Sequence, residues 1–214
     1  MSCGILQNDK TRSLFEQIND DHCHCDPCPF KLNSNLLPGF SSQKIEIPVD
    51  VLIVAEVPAK RDYEPQKELI SKVTMMNDYY REDPPKSFHQ QQIKDLLDSL
   101  DERGKSWVFT DIIKCFVSQD SENKRKAIQH CFKYLEEQIE VIQPSGILGL
   151  GGTVARGLKV KESVHGGDCR IEIGNHKCIY VHSLFPSGRT ADKWVKSGGW
   201  GQVLKILCDI SPSS

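Results

Sequence analysis

The sequence predicts a three-layer α/β/α sandwich built on a mostly parallel central sheet. Three short, mostly apolar runs lie at 50–55, 107–113 and 146–150. Segments whose apolar residues recur at three- and four-residue steps separate these runs. Strands buried on both faces are typically continuous apolar runs, and alternation of such strands with helices is typical of parallel sheets.

The first predicted strand is 50–55, and a long polar stretch, 60–86, follows it. We expect this stretch to be a loop that carries a helix at 66–75. The next helix is predicted at 91–100, because its four large aliphatic residues share one helical face. It should end before Gly104, since glycine commonly follows the last turn of a helix.

The second predicted strand is 107–113, and the strongest helical pattern follows at 124–142. In that pattern apolar residues recur every three or four positions, and Pro144 lies just beyond its end. The third strand is predicted at 146–150, and a helix should begin at Thr153.

The remaining elements complete one domain, which we expect to cover residues 1–214. Segments 169–173 and 177–182 flank the turn-forming pair Gly174-Asn175, which predicts a hairpin-like pair of strands. A closing helix is predicted at 200–208.

The composition is that of a soluble globular protein, with 38% hydrophobic and 26% charged residues. A formal charge of −2 means that any nucleic-acid binding must use local basic patches. Neither a run of about 18 apolar residues nor a signal-like start is visible, so we expect no membrane span and a cytoplasmic protein. We also expect a monomer.

Four of the nine cysteines form two pairs that predict a metal centre. Cys25 and Cys28 share a tight C-x2-C turn in the loop 22–30, and Cys115 and Cys131 lie far downstream with fifteen residues between them. Soft thiolate ligands select an iron–sulfur cluster or zinc. Cys23, or one of the histidines on either side of it, is an alternative ligand. Four other cysteines are predicted to be buried as small apolar residues: Cys3, Cys169, Cys178 and Cys208.

Chemically distinctive residues follow each predicted strand, at the edge where parallel sheets bind their ligands. Glu56 follows the first strand and Asp111 lies in the second, shortly before Lys114 and Cys115. A glycine-rich turn follows the third strand, and the last strand leads into a turn at 185–189. The glycine-rich turn lacks the spacing of a dinucleotide-binding loop.

These motifs together resemble the uracil-DNA glycosylase superfamily, especially its iron–sulfur branch, family 4. Residues 55–59 match a degenerate Gly-Glu-Ala-Pro-Gly motif, and residues 110–115 match Thr-Asn-Val-Val-Lys-Cys. Residues 150–155 match Leu-Gly-x-Thr-Ala, and Phe185-Pro186-Ser187 matches His-Pro-Ser. The spacing of the four cysteines also fits the cluster ligands of that branch.

The resemblance implies a DNA-binding hydrolase with a uracil-DNA glycosylase-like fold and a [4Fe–4S] cluster, with zinc as the alternative. It assigns the cluster to Cys25, Cys28, Cys115 and Cys131. Glu56 would stabilise the positively charged sugar and activate water after the nucleotide has left the duplex.

The resemblance also implies roles in binding base and backbone. Ala55 and Ala59 would line the base site, and Phe88 would stack on the base. The DNA backbone would be held by three residues of the turn after the last strand, Ser187, Gly188 and Arg189. Lys114 is structural in the family pattern, so the reaction is expected to stop at an abasic site.

Two departures from the family pattern bear on the substrate and on the leaving base. Asp111 replaces the asparagine that recognises uracil, and a carboxylate accepts a hydrogen bond from the amino group of cytosine but opposes O4 of uracil. Because excision of ordinary cytosine would destroy the host genome, the sequence predicts a modified cytosine, such as the hydroxymethylated or glucosylated form in phage DNA. Phe185 replaces the family histidine, and His182 is a candidate substitute.

Simpler roles stand beside these. Glu56 and Asp111 are also typical capping or turn carboxylates, His182 and Phe88 are typical core residues, and Arg189 is a typical solvated charge. Three functions therefore follow: an antiviral modified-cytosine glycosylase, a uracil-DNA glycosylase of base-excision repair, and a non-catalytic DNA-binding module.

Overall fold

A computed structural model describes residues 40–41, 47–56, 79–114, 120–161, 164–187 and 189–210. Cys25, Cys28, Cys115, Ala59 and Gly188 lie outside these ranges, as do the helix predicted at 66–75 and the loop 22–30. Among the described residues, no helix has the length and hydrophobicity needed to cross a bilayer.

Six strands of the described chain form one sheet. They are β1 (Phe40–Ser41), β2 (Val51–Ala55), β3 (Trp107–Asp111), β4 (Gly146–Leu150), β5 (Asp168–Ile173) and β6 (His176–Ser183). Their spatial order is β1-β3-β2-β4-β6-β5, and the four central strands are parallel. The edge strands β1 and β5 are antiparallel to their neighbours. The predicted fold class is therefore confirmed, including the hairpin that β5 and β6 form around Gly174-Asn175.

Five helices lie wholly within the described ranges. They are α1 (Phe88–Glu102), α2 (Ser121–Ile142), α3 (Gly152–Gly157), α4 (Ala191–Lys196) and α5 (Gly201–Asp209). Two of them begin three residues earlier than predicted because capping side chains precede them. The Ser87 hydroxyl accepts a hydrogen bond from Gln90 N, and the Asp120 carboxylate accepts one from Asn123 N.

Two hydrophobic clusters cover the two faces of the sheet. One contains the inward residues of α2 together with Leu52, Val54 and Tyr180. The other contains the inward residues of α1 and α5 together with Ala55 and Phe109. We call the first face the α2 side and the second the α1 side. Successive residues of a strand alternate between the two sides.

Candidate active site

Glu56 and Asp111 are adjacent at the carboxyl ends of two neighbouring parallel strands. Ala55 of β2 lies directly opposite Asp111 of β3. Beyond this pair, Ile112 N donates to Ala55 O at 2.8 Å and Ile113 N donates to Glu56 O at 3.0 Å. The backbone thus brings together the two acidic residues that the sequence singled out, at the edge where ligands of parallel sheets bind.

The two side chains leave this edge toward different sides of the sheet. Asp111 is 4% exposed and, being opposite Ala55, belongs to the α1 side. Glu56 turns to the α2 side, where its Oε1 accepts a hydrogen bond from Lys124 Nζ at 2.5 Å. Lys124 lies in the first turns of α2. A ligand that contacts both carboxylates must therefore straddle the edge of the sheet.

Lys114, three residues after Asp111, is a buried polar residue on the α2 side of the sheet. Lys114 is fully buried, and its Nζ donates to Thr110 Oγ1 at 2.8 Å and to Gln138 Oε1 at 2.5 Å. Burial lowers the pKa of Lys114 to about 7, while the nearby charges of Asp111 and Cys131 act to raise it. These contacts agree with a structural role for Lys114.

Aromatic rings line the α1 side near the same edge. The His89 ring lies 4.8 Å from the Phe185 ring, and Tyr80 contacts both His89 and Phe109 at centroid distances of 5.6 and 5.7 Å. Phe185 also approaches Gly151, which directly follows β4. Phe185 is thus part of an apolar and aromatic surface on the α1 side, the side to which Asp111 belongs.

Phe88 is the first residue of α1, and its ring packs edge-to-face against Trp194 with centroids 6.0 Å apart. Trp194 in turn contacts Trp200 at 5.1 Å. Phe88 is half-buried at the margin of the α1-side cluster. This environment suits a core residue, and base stacking by Phe88 stays a prediction.

His182 is buried in β6 opposite Gly149, with 3% of its surface exposed. The Tyr180 hydroxyl lies 3.3 Å from its Nδ1. Since Tyr180 packs in the α2-side cluster, strand alternation places His182 on the same side. A role for His182 in the reaction stays a prediction.

The turn after β6 is held by Thr190. Its hydroxyl lies 3.0 Å from Ser187 Oγ and donates to Phe185 O at 2.5 Å. Arg189 is exposed beside this turn, as are Lys193 and Lys196 of α4. The exposed cations form a local basic patch of the kind that DNA binding requires in a chain with little net charge.

Two residues near the edge were missed by sequence reasoning. Lys124 is 68 positions from Glu56, and no motif spacing connects them. His165 accepts a hydrogen bond from Leu184 N at 3.2 Å, and its Nε2 lies 2.6 Å from Gly199 O. His165 thereby joins the segment before β5 to the end of β6. The sequence signalled Lys124 only through its position at the predicted start of a helix.

Cys131 is the described member of the predicted metal centre. It is buried on α2, and its charge acts on Lys114, which directly precedes Cys115 in the chain. A buried thiol near Lys114 fits a cluster ligand. Within the described ranges, no group of three or more metal-ligating side chains occurs.

The other described cysteines only partly match the prediction that they are buried. Cys178 is buried, and burial raises the pKa of its thiol to about 12. Cys208 is half-buried, whereas Cys169 is exposed on edge strand β5. The prediction is wrong for Cys169, because one face of an edge hairpin is open to solvent.

A groove of about 750 Å³ lies elsewhere on the molecule, between the β5–β6 hairpin and the end of α5. Ser145, which immediately precedes β4, and Ile210 belong to its lining. It is thus at the amino end of the parallel strands, opposite the edge that carries Glu56 and Asp111. Its volume alone does not make it the active site.

The fold and this edge define a class: an α/β sandwich whose carboxyl edge presents two acidic residues, aromatic rings and a basic patch. The family model described as "Uracil DNA glycosylase superfamily" matches residues 43–203. The chain therefore belongs to the uracil-DNA glycosylase superfamily, and the predicted family is confirmed.

A curated relative agrees with the predicted branch. The chain is 25% identical, over 136 residues, to a type-4 uracil-DNA glycosylase of Pyrobaculum aerophilum. The match spans 63% of this chain and 59% of that relative.

Proposed function

We propose that this protein is a DNA glycosylase that hydrolyses the N-glycosidic bond of a flipped, modified cytosine and leaves an abasic site. The observation that supports this proposal is the pairing of Asp111 with Ala55, which brings the backbones of Asp111 and Glu56 together at the strand ends. The sequence motif at 110–115 matches Asp111 to the family's base-reading position. Membership in the superfamily supports the reaction class, and the identity of residue 111 supports the base.

Asp111 would select the base by accepting a hydrogen bond from the exocyclic amino group of cytosine. Uracil presents O4 at the same place, so carboxylate and carbonyl oxygens would face each other without a proton between them. Ala55 shares the α1 side with Asp111, and its methyl group leaves room at the strand end. Ala59 and Phe88 complete the proposed base site.

Glu56 would act on the sugar. N-glycosidic cleavage develops positive charge on the sugar, which a carboxylate stabilises, and the same carboxylate can activate the attacking water. Glu56 is 28% exposed, so solvent and substrate can reach it, and its contact with Lys124 fixes the orientation of the carboxylate. A nucleotide that straddles the sheet edge would place its sugar near Glu56 and its base near Asp111. His182 is proposed as an auxiliary group at the leaving base, although it is buried on the α2 side and would have to act across the sheet edge.

A [4Fe–4S] cluster is proposed on Cys25, Cys28, Cys115 and Cys131, with zinc as the alternative. When bound, such a cluster would cross-link the N-terminal loop to α2. The Cys131→Ser variant should lose metal and the visible absorption of an iron–sulfur protein, whereas Cys169→Ser, at an exposed thiol, should retain both. Metal analysis of the purified variants distinguishes iron from zinc.

Ser187, Gly188 and Arg189 are proposed to contact DNA phosphates, together with the exposed lysines of α4. The protein would act on DNA as a monomer in the cytoplasm. A preference for heavily modified cytosine would give it an antiviral role, because such bases distinguish phage DNA from host DNA.

The test is mass spectrometry of bases released from duplexes that contain uracil, hydroxymethylcytosine or glucosylated hydroxymethylcytosine. Release of a modified cytosine in preference to uracil supports the proposal. Preferential release of uracil would instead support the second candidate, uracil excision, which the name of the type-4 relative favours. Binding without release of any base would identify a non-catalytic module.

A further inference from the structure

The position of the Lys124 amine allows a role beyond that of orienting Glu56. From this geometry we infer that Lys124 is the nucleophile of a second reaction, in which the abasic sugar is opened and the DNA strand is cut by β-elimination. The inference depends on the proposed function, because that function places Glu56 at the sugar of the flipped nucleotide.

The side chains of Lys124 and Glu56 are in direct contact. Lys124 Nζ lies 2.5 Å from Glu56 Oε1, and the side chains are 19% and 28% exposed. A carboxylate that positions water at C1′ is within hydrogen-bonding reach of the sugar. Because the Lys124 amine contacts the Glu56 carboxylate, only that side chain separates it from C1′ of the bound sugar.

Two other lysines of the described residues, Lys114 and Lys126, lack this combination. Lys114 is fully buried and donates to Thr110 and Gln138, so no sugar can reach it. Lys126 also lies on α2, but it pairs with the exposed carboxylate of Glu122. Among these three lysines, only Lys124 has both access and contact with the proposed catalytic carboxylate.

A nucleophilic amine held against a proton acceptor is a recognised arrangement for covalent catalysis at carbonyl carbons. Release of the base leaves a sugar whose open form carries an aldehyde at C1′. Glu56 takes a proton from the Lys124 ammonium, and the neutral amine then forms a bond to C1′. The resulting hydroxyl leaves as water, with the proton returned by Glu56, and a protonated imine remains.

Strand cleavage follows from that imine. The Glu56 carboxylate removes a proton from C2′, a C2′–C3′ double bond forms, and the C3′–O bond breaks. The leaving phosphate stays on the 5′ end of the downstream fragment. Hydrolysis of the imine restores Lys124, so the sequence requires no oxidant, reductant or metal.

The experiment uses a duplex in which the abasic site has been prepared beforehand, together with the full-length protein. Sodium borohydride reduces the imine to a stable amine and thereby links protein to DNA. We expect a covalent adduct with the unmodified protein and, without borohydride, a nick with an unsaturated aldehyde at its 3′ end. Lys124→Arg preserves the charge beside Glu56 but should reduce the adduct to background, whereas Lys126→Arg should retain it.

Peptide mapping of the adduct keeps the test decisive even if the Lys124 variant fails to fold. Attachment at Lys124 supports the inference, and attachment at another amine, or no adduct with the unmodified protein, overturns it. The prepared abasic site separates the two hypotheses. A protein that forms the adduct but releases no base contradicts only the proposed glycosylase function. A protein that releases base but forms no adduct contradicts only the role of Lys124.

Discussion

The two sides of the sheet meet at the same carboxyl edge but differ in the chemistry that they bring to it. The α2 side supplies polar and charged groups, with the Glu56–Lys124 pair at the edge and the buried Lys114 amine nearby. The α1 side supplies the buried Asp111 and an aromatic surface that includes His89 and Phe185. The difference indicates a division of labour, in which the α2 side acts on the sugar and the α1 side selects the base.

Glu56→Gln should have the largest effect, because it removes the proposed catalytic charge while keeping the shape of the side chain. Base release should fall by about 10²–10⁴-fold for every base that the protein excises. Single-turnover base release measures this loss, and DNA binding should persist. Glu122→Gln is the control, since Glu122 is also a carboxylate paired with a lysine but lies on the exposed surface of α2. Equal rates for Glu56→Gln and the unmodified protein would remove Glu56 from the chemistry.

Asp111→Asn should change the choice of base rather than the reaction itself. An amide can donate to O4 of uracil, so the ratio of rates for modified cytosine and uracil should fall by about 5- to 150-fold, corresponding to roughly 1–3 kcal/mol. Competition between the two substrates in one reaction measures this ratio. Asp98→Asn, at a solvent-facing position on α1, is the control. Equal losses on both substrates would mean that Asp111 only stabilises the strand end.

The elements behind this comparison differ in how far the sequence predicts them. The strands that carry Glu56 and Asp111 are predictable, because a continuous apolar run forms a buried strand and parallel strands align their carboxyl ends. The two-residue strand β1 and the six-residue helix α4 are too short for any periodicity to develop. The Glu56–Lys124 contact joins residues 68 positions apart and depends on how α2 docks on the sheet. Such docking is a tertiary property that local patterns do not encode.

Gln138→Ala tests whether the buried Lys114 has a structural role. The variant removes the acceptor 2.5 Å from Lys114 Nζ and leaves a buried ammonium with fewer partners. We expect a loss of about 1–3 kcal/mol in the free energy of unfolding, measured by urea denaturation. Gln129→Ala, at an exposed position of the same helix, should change it little. An unchanged denaturation midpoint for Gln138→Ala would show that this hydrogen bond contributes nothing to stability.

Gly149→Ala probes the α2 side at β4 and should have the smallest effect on the reaction. A methyl group at Gly149 would meet the Tyr180 ring, with Cε2 at 2.6 Å and Cζ at 2.7 Å, so the ring must shift. Overpacking of this kind costs roughly 1–3 kcal/mol of folding free energy. Gly201→Ala, where no atom lies within 4 Å, should instead be neutral or stabilising by up to about 1 kcal/mol.

The same variant also tests His182, because the Tyr180 hydroxyl lies 3.3 Å from its ring. Base release is to be measured well below the unfolding midpoint, so that the fraction folded does not change. If His182 acts at the leaving base, displacement of Tyr180 should lower the single-turnover rate. An unchanged rate together with lower stability would assign His182 to the core and leave Glu56 as the reactive group that the described residues of the α2 side contribute to base release.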